Sequence, residues 1–565
     1  MVNRDRMQEV KKQIMARNKR LDDIRNEYID EWIDSADFVL GYTPRSLLSH
    51  PPSDRRKRLR NEFLMNETAM SSANILASGM MAGITSPARK WFELATPDKD
   101  MMNSQPIKEW LNVVEERMMA VLAGSNFYRV MYQMYMHMGT FGQCPVTCYE
   151  DFEDVVRFET YEIGSYKLAQ DGNGRVDRFY NEFNMTVREA VTKFGLENLS
   201  QSYRKMYDNN EMESLINILH VIERNEGRNP NSPASSEMPW RSAYMEADQE
   251  NTGGSPMLQW SGFNEQPFFA PRWTVLGKDI YATSYPAFNA MGSNKSLQVE
   301  ELDKATAIEK QHNPPLVGDQ YLQNAGVDLI AGGVTFVPNM AMSGKPGLSP
   351  VYNVNPNIDH LRLDIQEKEG RIERAFYADL FLMLQQMDRA QITATEIIER
   401  KEEKLLMLGP VLERINDEAL DLIIDRVFEI MNRKGLIPPP PPELENVKLR
   451  VEYVSVLAKA QKAVSTDSMD ITTAFVTNLS QFSPDALDKL NTDELIDEYA
   501  RAKGAPPSII RTNDQAAAIR EQRAAAIQAQ QERERMAAAA ESAKTLSDTQ
   551  VGDGNALEGV LDSLT

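Results

Sequence analysis

An α+β fold, mainly helical, is what this sequence predicts. Toward both ends of the chain, apolar residues recur every three or four positions over long segments, the signature of one-faced helices. Between about residues 144 and 286 the pattern changes to short alternating runs separated by Gly, Pro, Asn and Asp, which reads as strands and turns. The chain has 565 residues, of which 42% are hydrophobic, so it is long enough for more than one core and too apolar to be disordered throughout.

Residues 4 to 35 read as one charged amphipathic helix, with Met7, Val10, Ile14, Leu21, Ile24, Tyr28 and Trp32 on its apolar face. DRRKRLR at 54–60 is the densest basic cluster; such a run is either a solvated face or a contact for nucleic acid or an acidic partner. Residues 67–84 form a helix rich in Ser, Ala and Gly, stopped by Thr85, Ser86 and Pro87, and a strand begins at Trp91. Residues 106–140 are helical, with a methionine- and aromatic-rich stripe that reads as core packing. The run 155–183 reads as strand, turn, strand, turning at Asp171–Gly174, and 185–195 as a helix capped near Thr186 and closed by Gly195. Ile216–Glu223 is a strand, and a proline-broken polar loop follows it.

Residues 287–312 return to helix, with Leu297, Val299, Leu302 and Ile308 as packing positions. Residues 325–357, full of Gly, Pro and Asn, read as a mobile loop flanked by short strands. From Ile358 to Arg433 the pattern is helical, with Ile372, Phe376, Leu380 and Leu384 on one ladder, a capping box at Thr393 and Glu396, and a kink or break expected at Gly409-Pro410. A polyproline spacer at 438–442, a small helical unit over 443–510 starting a helix at Ser483-Pro484, and an Ala- and Gln-rich helical tail complete the chain.

The formal charge is −21, which argues against a surface that grips nucleic acid everywhere. The opening residues are charged throughout, so no secretory signal is expected, and no apolar run reaches the roughly 18 residues of a spanning helix. A soluble protein made in a reducing compartment follows, with Cys144 and Cys148 as buried free thiols. There is no GxxxxGK[ST], GxSxG or HExxH motif, and His50, His137, His220, His312 and His360 have no metal-ligand spacing. No catalytic residue, cofactor or metal is therefore expected. What remains is interaction surface: long helices, a small-residue helix and an alanine-rich tail are costly for a lone chain to order, and a closed homo-oligomer would cover them.

NETAMSSANILASGMMAGITSPARKWFEL at 66–94 resembles the portal, or head-to-tail connector, of short-tailed, podovirus-type bacteriophages. Further similar pieces follow in order: SNFY at 125–128, GTFG at 139–142, the run 164–195, ILHVIERNEGR at 218–228, MPWRSAY at 238–244, GFNEQPFFAPRW at 262–273, YATSYPAFNAMG at 281–292, 297–316 and 393–415. The resemblance spans about residues 20–510.

It implies a portal fold with wing, stem, clip and crown regions, assembled as a dodecameric ring. Mapped onto this chain, it implies wing and first stem helix at 1–200, clip at 201–281, second stem helix at 282–313, channel loop with flanking strands at 314–357, wing helices and proline spacer at 358–442, crown at 443–511 and a tail at 512–565. It also implies a virion protein at the capsid portal vertex, assembled in the host cytoplasm. Its partners would be copies of itself, double-stranded DNA in transit without sequence readout, the terminase large subunit, a tail adaptor, and scaffolding, major capsid and internal core proteins; no membrane is involved. A conduit should hold duplex weakly, so an acidic wall with sparse cations suits it. Lys345, at the tip of the expected channel loop, is the first candidate to face DNA, and Lys295 and Lys304 on the expected stem helix follow. Gly332, Gly333, Gly344 and Gly347 would give the loop its freedom. A scaffold or tail-adaptor protein without a DNA channel is the second reading, and a terminase-like enzyme the third.

Overall fold

The N-terminal apolar recurrence forms two helices rather than one. In this computed structural model α1 spans Arg4–Asn26 and α2 spans Ile29–Ser35, followed by a π-helical turn at Ala36–Leu40. The expected single helix breaks because the amides of Glu27 and Tyr28 bond to the carbonyls of Ile24 and Arg25, tightening the last turn of α1. The structure describes residues 4–42, 64–98, 104–247, 254–312, 358–386, 407–444, 449–454, 472–479, 489–503 and 513–548, with short pieces at 316–318, 348–350, 550–551 and 554–555 and a few single positions. The basic cluster 54–60, the Thr393/Glu396 box and Ser483-Pro484 lie outside the described residues.

Helix α3 (Thr68–Ile84) is the small-residue helix, and strand β1 (Phe92–Ala95) follows it. The methionine-rich region is again two helices, α4 (Gln105–Gly124) and α5 (Phe127–Phe141). They part at Asn126, whose side chain brackets the backbone of Phe158 with hydrogen bonds of 2.7 and 2.9 Å. Small residues in α3 admit neighbours closely: a Cβ on Gly79 would lie 2.2 Å from the Phe381 ring, and one on Gly139 in α5 would lie 2.7 Å from Leu76.

The central section is mainly strand and turn, as its alternation predicts, with two short helices. Strands β2 (Val146–Glu150) and β3 (Val156–Thr160) form a hairpin. Strands β4 (Tyr166–Gln170) and β5 (Val176–Thr186) turn at Asp171–Gly174. Helix α6 (Val187–Phe194) carries a complete capping box between Thr186 and Glu189 and ends at Gly195, and α7 is Gln201–Asp208. Strands β6 (Leu215–Arg224), β7 (Trp240–Glu246) and β8 (Gln259–Phe263) extend the sheet to the antiparallel order β4-β5-β6-β7-β8. Strand β9 (Phe268–Phe269) joins β2. The resemblance-based division at residue 200 runs between β5 and β6, which pair from Arg178 to Thr186 inside this one sheet.

The sheet is buried on both faces, which explains apolar runs in β6 where a half-exposed strand would alternate. Leu219, Val221, Ala243 and Met245 receive Ile14 and Leu21 of α1 on one face. On the other, Ile222, Phe179 and Trp240 pack with Trp32, Phe141 and Tyr281, while Ile216 and Ile218 pack with α6. Ion pairs fasten α1 in place. The buried Glu223 carboxylate accepts from Arg17, from Tyr180 Oη at 2.9 Å and from Arg241 at 2.6 Å. Lys167, equally buried, donates to Asn18 (2.9 Å), Asp22 (2.7 Å) and Glu182 (3.1 Å).

Helix α8 (Tyr285–His312) follows, then β10 (Leu316–Gly318), which pairs antiparallel with β11 (Leu348–Pro350). Helices α9 (Ile358–Ala375) and α10 (Ala378–Gln386) are separated at Tyr377, whose φ is +55°. Ile372, Phe376 and Leu380 are buried as expected. Gly409-Pro410 does not interrupt helix α11 over its described residues, 407–415. The interruption is a π turn at Asn416–Leu420, from which Glu418 meets Arg272 at 2.7 Å. Helix α12 (Asp421–Arg433) buries Ile423, Val427 and Ile430 and closes at Gly435, φ +68°. Strand β12 (Arg450–Tyr453) pairs with β1.

The chain divides into two compact units, Met1–Asp98 with Pro106–Gln461, and Lys99–Gln105 with Lys462–Thr565. The second contains helices α13 (472–479), α14 (Thr492–Lys503) and α15 (Asn513–Asp548). Arg520 grips Asp493 there with both guanidinium nitrogens, at 2.5 and 2.6 Å.

Candidate assembly helix and channel residues

Helix α8 has two different sides. Its entry is fixed by Ser284, which caps the first turn by accepting from Ala287 N (3.1 Å) while donating to Gly139 O (2.6 Å). Gly142 holds the same corner: its φ is +85°, and a Cβ there would meet Ala282 O at 2.6 Å. The inner side buries Ala287, Ala290, Asn294, Leu297 and Gln298. Gln298 Oε1 accepts from the amides of Met65 (2.6 Å) and Asn66 (2.8 Å), and its Nε2 donates to Asn66 O (3.1 Å). Asn294 donates to Phe38 O at 2.5 Å. Glu300 pairs with Lys368 of α9.

The outer side carries Tyr285, Phe288, Gly292, Lys295, Val299, Leu302 and Thr306, at spacings of three and four in strict alternation. Such spacing stays on one face of the helix, a seam whose apolar members form two pairs, Tyr285 with Phe288 and Val299 with Leu302, separated by Gly292 and Lys295. Its large members are bare: Phe288 is 67% exposed, Val299 58% and Leu302 50%. Of the four packing positions expected in this helix, only Leu297 is buried by the chain; Val299, Leu302 and Ile308 are exposed. Val299 and Leu302 point away from the stripe that holds Asn294 and Leu297, whereas Ile308 lies on that side but beyond Gln298, the last residue of the helix that the chain buries.

Lys295, one of the expected channel cations, lies on this seam. Its Nζ is 2.7 Å from Asp34 Oδ2 and 5.1 Å from the Phe38 ring centroid. Lys304 pairs with Glu301 at 2.6 Å, one turn away. Lys345, Gly332, Gly333, Gly344 and Gly347 lie outside the described residues; the strands that bracket them, β10 and β11, are present as expected.

Both thiols are buried, and burial pushes them up, Cys148 to about 12 even with Arg426 beside it. His220 is stacked on Tyr244 at 3.9 Å with Nε2 2.9 Å from Ser242 Oγ, and burial pulls its imidazole down to about 3. His137 lies 3.7 Å from Cys144 Sγ and is pulled down by burial to about 4. Such groups stay neutral at pH 7 and belong to the core. Among the described residues no group of three or more His, Cys, Asp or Glu is arranged to hold a metal ion, and no helix is long and apolar enough to cross a membrane.

A mainly helical α+β fold whose exposed feature is an apolar helix seam defines a structural protein that works through interfaces. The comparisons give that class its family. Residues 11–510 match the bacteriophage head to tail connecting protein family. The chain is 44% identical to the portal protein of Salmonella phage epsilon15, over 97% of this chain and 98% of the relative. It is 37% identical to the probable portal protein of Bordetella phage BPP-1, with the same shares covered. The chain therefore belongs to the head-to-tail connector, or portal, family of tailed bacteriophages. Members are structural, non-catalytic proteins of genome packaging and capsid assembly.

Proposed function

We propose that this chain forms a dodecameric ring at a unique capsid vertex. The ring nucleates procapsid assembly, docks the terminase large subunit, threads double-stranded DNA inward, then joins the head to a short tail through an adaptor and passes DNA out. The supporting observation is the bare apolar seam of α8 in a chain of the portal family. Helix α8 corresponds to the second stem helix, its seam meeting the neighbouring copy. Residues 1–200 and 358–442 supply the wing and first stem helix, 201–281 the clip, 314–357 the channel loop, 443–511 the crown and 512–565 an inward tail toward internal core proteins. Scaffolding and major capsid proteins meet the ring's outer surface.

DNA passes without sequence readout. Twelve chains of net charge −21 keep affinity for the duplex low, so a few cations centre it. Lys345 is the leading DNA-facing residue, within a loop loosened by Gly332, Gly333, Gly344 and Gly347. Lys295 and Lys304 follow; each already has a carboxylate partner within the chain, Asp34 and Glu301. Electron microscopy of the purified protein tests this: rings with a central hole about one duplex wide are expected, and particles without such a hole would sink the proposal. Deleting residues 343–347 is expected to reduce packaging or DNA retention while leaving rings intact.

A further inference from the structure

One face of the first unit combines an apolar groove, a rigid aromatic tip and a surplus of carboxylates. The groove, of ≈480 Å³, runs between α12 and the β1–β12 pair. Trp110, Leu94, Phe428, Leu444 and Val451 line its apolar part. Three carboxylates, Glu265, Asp425 and Glu429, and one cation, Arg426, line its polar part together with Gln266 and Asn432. Glu265 is neutralised by Arg426 (3.0 Å) and Arg433 (2.6 Å). Glu429 has no ion-pair partner among the described residues, and burial together with the nearby Glu265 carboxylate holds its carboxyl above the ordinary range.

Arg433 carries this face on to the β2–β3 hairpin, because its other nitrogen binds Glu150 at 2.7 Å. The tip of that hairpin presents Phe152 fully exposed, flanked by Asp151, Glu153 and Asp154. It is held rigidly. Asp151 Oδ1 accepts from the amides of Glu153 (2.7 Å) and Asp154 (2.9 Å), and Lys434 donates to the carbonyls of Asp151 and Val155. A fixed, solvent-facing aromatic beside an apolar groove is an anchor arrangement, and its acidic surround selects a cationic partner.

The chain holds one sequence of matching chemistry. Residues 54–60, DRRKRLR, form its densest basic cluster, and Leu59 and Phe63 add apolar groups. We propose that this acidic, apolar face receives the basic segment 54–60 of a second copy of the chain. The contact is head-to-tail, since groove and segment are different surfaces, and repetition of such contacts closes a ring. This rests on the homo-oligomeric reading given above. It adds a contact distinct from the α8 seam, in which electrostatics supplement apolar packing.

The test uses the assembled full-length protein. Chains bearing Glu429→Cys are co-assembled with chains bearing Arg58→Cys, and mild oxidation is expected to give a disulfide-linked dimer on non-reducing gels. No dimer, or an internal loop only in a chain carrying both substitutions, would overturn the proposal. The second arm measures binding of the synthetic peptide 51–64 to protein lacking residues 54–60. Asp425→Lys with Glu429→Lys is expected to weaken binding at least tenfold, and raised salt should weaken it too. Equal binding to both proteins, or none to either, would count against it. Particle mass is recorded alongside, so rings without the cross-link reject this contact alone, while absence of rings rejects the homo-oligomeric reading.

Discussion

Helix α1 and helix α8 are both long and well ordered, yet they stand in opposite situations. The apolar stripe of α1 and most of its inward polar residues are answered within the chain. Its apolar stripe meets the sheet, and its polar residues meet Glu223, Lys167 and Glu237. Helix α8 is answered on one side only, and its other side leaves Phe288, Val299 and Leu302 in solvent. Exposed apolar side chains scattered singly need no explanation, but two exposed apolar pairs on one face of the same helix do. The difference separates a helix that completes a domain from one that completes an assembly.

Breaking the α8 seam should have the largest effect. Val299→Asp with Leu302→Asp is expected to abolish rings in electron micrographs, while thermal melting of the chain shifts by less than about 1 kcal/mol, as for other surface changes. Rings that persist would remove the seam from the interface. Next comes the inward latch of α1. Glu223→Ala leaves Arg17, Tyr180 and Arg241 without their shared acceptor, and a loss of about 3 kcal/mol is expected in denaturant unfolding. An unchanged midpoint would show that apolar packing alone holds α1.

A smaller effect concerns pH. The folded imidazole of His220 is pulled down to about 3, below its unfolded value of about 6.5. Stability from keeping it neutral is therefore complete above pH 6.5 and is lost as pH falls toward 3. His220→Gln should flatten the fall in unfolding free energy between pH 6.5 and 5 by about 1.6 kcal/mol; an identical slope would assign the acid sensitivity elsewhere. The smallest effect belongs to α15, whose side chains are almost all exposed. Ala525→Gly should cost that helix about 1 kcal/mol, read by local hydrogen exchange, with no change in the main melting transition. A shifted main transition would mean that α15 is coupled to the core.

Much of this architecture was legible in the residues. The Thr186–Glu189 capping box, the Asp171–Gly174 turn, the ends of α3 and the extent of α8 are all encoded by neighbours a few positions apart. Local chemistry settles such features, because capping and turn geometry involve only adjacent backbone. The ordered motifs also carried the family, which the match over residues 11–510 bears out. The breaks at Glu27–Tyr28, Asn126 and Tyr377 were not legible, since each interrupts an unbroken apolar period. Asn126 shows the reason: its side chain serves Phe158, 32 residues away.

Composition and local pattern suffice for a mainly helical α+β protein, an apolar periodicity in α8 and an acidic chain without a nucleotide motif. Periodicity records that a residue is apolar, not which surface covers it. The folded arrangement turns Leu297 inward and Val299 and Leu302 outward, and sets Lys295 against Asp34. It also puts Phe152, Glu265 and Glu429 on one face, joined through Arg433. Those facts depend on residues distant in sequence meeting in space, and no local pattern contains them.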